Sequence, residues 1–125
     1  MSVLTPTMHT FIGLLIGMLL LIAPWLFGFH EVGGIAVAVP LITGAFIILN
    51  ELITSSHASP MHVVPMRMHL ALDFVIGALL AASPWLFAFS SQAPGIWIPH
   101  VLIGIGIIAY AAMTQPEDER VPVLS

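Results

Sequence analysis

Four runs of about twenty mostly apolar residues dominate this chain, at about 9–29, 35–54, 67–89 and 95–114. A helix needs roughly 20 such residues to cross the hydrocarbon core of a bilayer, and every backbone N–H and C=O there must be bonded internally. The runs therefore predict an all-α membrane protein with four transmembrane helices. Charged residues make up 6% of the chain, against about a quarter in soluble domains, so a water-soluble surface is out of reach. The links "HEVGG" and "SSQAPG" are short enough to force antiparallel hairpins. Residues 55–66 form a longer, more polar central loop. Residues 115–125, with Glu117, Asp118 and Glu119 after Pro116, read as a flexible acidic tail.

Several function classes fall away. Arg67 and Arg120 are the whole complement of Lys and Arg, so there is no electrostatic footprint for nucleic acid. The absence of cysteine excludes disulfides, thiolate zinc sites and iron–sulfur clusters. The first run lacks a basic n-region and is too long for a signal peptide, so it reads as a retained span. By the positive-inside rule the two arginines put both termini and the central loop on the cytoplasmic side of the cell (inner) membrane.

Sliding the chain against itself by sixty residues aligns Met8-His9 with Met68-His69, Gly17 with Gly77 and Pro24-Trp25-Leu26-Phe27 with Pro84-Trp85-Leu86-Phe87. Gly44 falls on Gly104 and Thr54 on Thr114, without a gap. Leu and Ile match by chance in greasy helices; Pro-Trp, Gly and His together do not. The chain is an internal duplication, 1–54 and 67–114. Each half has an even number of spans, so the repeats are parallel, related by a pseudo-twofold axis along the membrane normal.

Each half closes its first helix with an unusual septet, "APWLFGF" at Ala23 and "SPWLFAF" at Ser83. Proline removes an N–H and crowds the carbonyl four residues back, at Leu20 or Leu80, so a bend or an early helix end is expected. Ser83 can offer its hydroxyl to the freed carbonyl; Ala23 cannot. Trp25 and Trp85 fall at headgroup level as aromatic anchors. A two-helix repeat closed by Ser-Pro-Trp resembles the SPW repeat family of small bacterial and archaeal membrane proteins. The motif is intact at 83–85 and altered by one residue at 23–25. The resemblance also implies a basic and an acidic residue early in the first helix, matched by Arg67 and Asp73, where the first half has Thr7 and Gly13. It implies fold and location, and no settled activity.

Polar groups within the spans mark the candidate site. Asp73 lies about one turn inside the third helix, where an acid deep in a span costs about 2.5–3.5 kcal/mol. His69 precedes it by four residues on one helix face. Gly13 and Gly17, with Gly77 in the second half, form small-residue faces expected to meet across the pseudo-axis. His9, Asn50, Glu51, His69, Asp73 and Tyr110 are expected at one membrane level, as a hydrogen-bonded plug with Asp73 paired to Arg67 or His69. The same layer also reads as a proton or cation vestibule. His57, Met61, His62, Met66 and Met68 are ligand types that suit copper, at irregular spacing. His9 and His69, expected at the membrane surface, are the pair a haem would require. His30 and His100 read as interface residues.

No catalytic motif stands out, and no cofactor is predicted outright. The leading expectation is a non-enzymatic structural or accessory subunit in the lipid bilayer, assembling as a homo-oligomer or within a larger membrane complex. The alternatives are a proton or cation pathway at an oligomer interface centred on Asp73, and a haem or copper holder using His9 and His69.

Overall fold

The computed structural model describes residues 2–116. Four helices, α1 (Pro6–Leu26), α2 (Gly34–Ile53), α3 (Met66–Leu86) and α4 (Pro94–Ala112), make up the architecture, with one short 3-10 turn at His30–Val32. All four are long and apolar enough to cross a membrane; at about 1.5 Å per residue each reaches about 30 Å. A shift of sixty residues carries both ends of α1 onto those of α3.

The helices begin and end a few residues earlier than hydropathy suggests. Thr5 caps α1, its Oγ1 accepting from Met8 N–H at 3.2 Å, and Pro6 opens the first turn, where a missing N–H costs nothing. The septets are helix stops, not mid-helix kinks. Phe29 N–H donates to the Pro24 carbonyl at 2.7 Å, and Phe89 N–H to Pro84 at 2.7 Å. Gly28 and Ala88 stand between with φ of 75° and 60°. This is the Schellman arrangement, in which a left-handed residue turns the chain back onto the last carbonyls. The phenylalanine after that residue is buried in both repeats, whereas Trp25 and Trp85 are more than half exposed, as headgroup anchors require. Ser83 Oγ donates to the Leu80 carbonyl at 2.6 Å, the one that Pro84 deprives of its helical partner.

Packing is closest within each hairpin, α1 on α2 and α3 on α4. A Cβ on Gly17 would lie 3.1 Å from the Gly44 carbonyl, and one on Gly77 2.9 Å from that of Gly104. The small faces thus join helices of the same repeat, correcting the expectation that they meet across the pseudo-axis. Between the hairpins, each helix contributes one buried aliphatic residue to a central layer: Leu20, Ile47, Leu80 and Ile107. Leu15, Met18, Ile42, Leu79 and Leu102 point outward to the lipid.

Two backbone seams close one end of the bundle. Leu4 pairs with Thr114, its N–H donating to Met113 at 2.9 Å and its carbonyl accepting from Gln115 at 2.8 Å. Thr54 pairs with Val64 in the corresponding way, through Ser55 N–H to Val64 at 2.8 Å. The acidic residues of the tail and Arg120 lie outside the described residues.

Candidate functional site

The seams deliver two threonines to the interior. Thr54 Oγ1 lies 2.7 Å from His69 Nδ1, and Thr114 Oγ1 lies 2.8 Å from His9 Nδ1. Each threonine ends the second helix of one repeat and holds the histidine of the other. Each hydroxyl also donates to the carbonyl four residues back, Thr54 to Asn50 at 2.5 Å and Thr114 to Tyr110 at 2.7 Å. A hydroxyl has a single hydrogen, so towards histidine it accepts. Both imidazoles therefore carry N–H at Nδ1 and turn Nε2 inward.

Four groups converge there. The two Nε2 atoms are 3.1 Å apart. Asp73 Oδ2 lies 2.7 Å from His9 Nε2 and 3.1 Å from His69 Nε2. Glu51 Oε1 lies 3.0 Å from His69 Nε2, and Oε2 3.9 Å from His9 Nε2. The four side chains are at most 2% exposed. The Tyr110 ring stacks on His9 at 4.1 Å between centroids, fixing the plane of the imidazole. Glu51 stands out: neither carboxylate oxygen receives an aligned hydrogen bond among the described residues, although both are buried.

Each repeat supplies one acid and one small residue opposite it. Glu51 projects from α2 over Gly13, where a Cβ would run into the carboxylate and lie 2.9 Å from its Cγ. In the second repeat the acid is Asp73 on α3, and Ala111 occupies the position of Glu51. Above the cluster the central loop turns inward. Thr10 Oγ1 meets Ser56 Oγ at 2.7 Å, Ser56 meets Ser59 at 3.0 Å, and Ser59 donates to the Glu51 carbonyl at 2.7 Å.

The structure thus brings together His9, Glu51, His69, Asp73 and Tyr110. Asn50 is buried nearby with Nδ2 unpartnered among the described residues. Arg67 stands on the exposed face of α3, and the buried partners of Asp73 are the two histidines. His9 and His69 are fully buried rather than at the surface, because the loop and the seams cover that end of the bundle. With their Nε2 atoms in contact, no porphyrin fits between them. The linker side chains disperse. Met66 packs with Leu70 and Ala111, Met61 and Met68 are exposed, His57 is exposed, and His62 Nε2 lies 3.0 Å from the Ser56 carbonyl.

Sequence reasoning missed the two threonines, although their identity at the sixty-residue offset was a signal, and it missed the serines of the loop. It also misjudged His100, which is buried between Phe29 and Phe89. Its Nε2 lies 3.0 Å from the Ala36 carbonyl, the one that Pro40 leaves without a helical donor.

The model of the SPW repeat domain matches residues 7–114. No curated protein and no solved structure matches the chain.

Proposed function

The chain belongs to the SPW repeat family, and from that premise we propose that it is a non-enzymatic membrane subunit, non-conducting as a single copy. Its two parallel repeats, related by a pseudo-twofold axis along the membrane normal, are clasped at one end by the buried His–carboxylate cluster. It works in assembly with itself or within a larger membrane complex, its termini and central loop facing the cytoplasm.

The observation that carries this reading is the apolar layer of Leu20, Ile47, Leu80 and Ile107. It separates the cluster from His100 at the far end, so among the described residues the buried polar cluster does not continue through this layer. Asp73 is 1% exposed within one chain. It faces the bundle interior, not a surface on which copies meet, which weighs against a pathway centred on it at an oligomer interface. The crossed threonine–histidine bonds support a clasp, since neither repeat completes its histidine alone.

Proteoliposomes test the non-conducting part. The expected result is proton and potassium permeability equal to that of protein-free vesicles. A steady flux that Asp73→Asn abolishes would replace this reading with a pathway. Native mass spectrometry of protein extracted gently from its own membrane tests the assembly; a bare monomer would contradict it.

A further inference from the structure

We propose that His9 Nε2, His69 Nε2 and a carboxylate oxygen of Glu51 bind one divalent first-row transition-metal ion of the Zn2+ type, with Asp73 Oδ2 as the fourth ligand. The ligand atoms of His9, Glu51 and His69 all lie within 4.8 Å of one another. Four-coordinate zinc holds nitrogen and oxygen ligands at about 2.0–2.2 Å, which sets adjacent ligand atoms roughly 3.3 Å apart. The two Nε2 atoms are 3.1 Å apart and Glu51 Oε1 lies 3.0 Å from His69 Nε2, both near that spacing, while His9 Nε2 faces the other oxygen of Glu51, Oε2, at 3.9 Å. Asp73 stands outside that three-residue group: its Oδ2, 2.7 Å from His9 Nε2 and 3.1 Å from His69 Nε2, must shift toward the ion to take the fourth position.

Three further observations point the same way. The first is the chemistry of the inward-facing atoms. With Nδ1 of each histidine committed to a threonine, both Nε2 atoms turn toward the carboxylates of Asp73 and Glu51. Two buried carboxylates beside two imidazoles call for positive charge, and one divalent ion balances both. The second is Glu51, a buried carboxylate without an aligned donor at either oxygen among the described residues. An acid placed so is costly unless a cation accepts it. The third lies behind the ligands: metal-bound histidines characteristically donate their other N–H to a fixed acceptor, which Thr54 and Thr114 provide.

The donor set also selects the ion. Two imidazoles and two carboxylates suit Zn2+, Co2+, Fe2+ or Mn2+. Calcium takes six to eight oxygens, and copper(I) prefers sulfur, neither of which the cluster offers.

The test uses the full chain in detergent, stripped with a chelator and reloaded with Zn2+ or Co2+. One ion per chain is expected, with the intense visible absorption of four-coordinate Co2+. Glu51→Gln and Thr114→Val, both close in shape to the native residues, should weaken Zn2+ at least tenfold. For Thr114→Val the range is about 10- to 100-fold, because that residue acts through His9. His57→Gln on the exposed loop should leave stoichiometry and spectrum unchanged. Failure of the wild-type chain to retain either ion overturns the proposal, as does Zn2+ binding that survives Glu51→Gln but is lost in His57→Gln. Either failure leaves the non-conducting subunit standing, since that reading depends on vesicle permeability.

Discussion

Replacing Gly104 by alanine tests whether the glycine crossing sets the spacing of α3 and α4. A Cβ there would lie 2.5 Å from Ala81 N, 2.7 Å from the Gly77 carbonyl and 2.9 Å from Ala81 Cα. Ordinary contact begins at 3.4 Å, so the shortfall is 0.5–0.9 Å (3.4 − 2.9 and 3.4 − 2.5). All three obstacles are backbone, so no rotamer relieves them and the helices must part. A gap of about 0.5–1 Å forfeits a quarter to a half of each dispersion contact across it. For roughly twenty atom pairs at ~0.1–0.2 kcal/mol that is about 0.5–2 kcal/mol, consistent with the roughly 1–3 kcal/mol typical of overpacking. Alanine returns up to about 1 kcal/mol of helix propensity over glycine. Gly106→Ala carries the same gain with nothing within 4 Å of the new methyl. The difference between the two variants isolates the steric part, and G104A should be less stable than G106A by about 2 kcal/mol. Reversible unfolding in mixed detergent micelles, followed by helical circular dichroism, measures it. Equal stability would refute the close-contact account of the hairpin.

Three further outcomes are expected. Ala88→Gly should stabilise the chain by about 0.5–1 kcal/mol, since Ala88 holds a φ of 60° that glycine adopts freely, and Gly28→Ala should cost about 1–2 kcal/mol; the same unfolding assay reads both. Gly13→Asp and Glu51→Ala should each destabilise. Together they give the first repeat the acid arrangement of the second, so the double variant should be milder than the sum by about 0.5–3 kcal/mol, and strict additivity in thermal unfolding would sink the idea of one shared acid position. Ser83→Ala and His100→Leu each strip a carbonyl that proline has already left without a helical donor. Each should cost about 0.6–1.7 kcal/mol by chemical denaturation.

Spans, hairpins and duplication were legible because each leaves a periodic or repeated trace in the sequence. Helix ends were less so. Pro6 and the "PWLFGF" run both look apolar, yet one begins α1 and the other turns out of it at Gly28, and hydropathy registers neither event. The polar residues of the site were visible as anomalies in grease, but their meeting was not. In a bilayer the inner and outer faces of a helix are equally apolar, as Leu20 inside and Leu15 outside illustrate, so pattern alone does not assign direction. The burial of His9 and His69 depends on the inward fold of the 55–64 segment and on the seam from Leu4 to Thr114, contacts between residues far apart in the chain.

The placement of the two carboxylates has a consequence for bookkeeping by halves. Residues up to Thr54 carry one histidine, one acid and one anchoring threonine at the cluster, and residues from Met66 to Thr114 carry the same three kinds. The acid sits on the second helix in one half and on the first in the other, so the halves differ in wiring while agreeing in inventory. Each supplies half of the cluster, and the threonine exchange makes each half's histidine answer to its neighbour. Two copies of either half, docked as the repeats are docked here, would assemble the same total of two imidazoles and two carboxylates. What the fused chain fixes is therefore the asymmetry of the site, while its stoichiometry is already written in a single repeat.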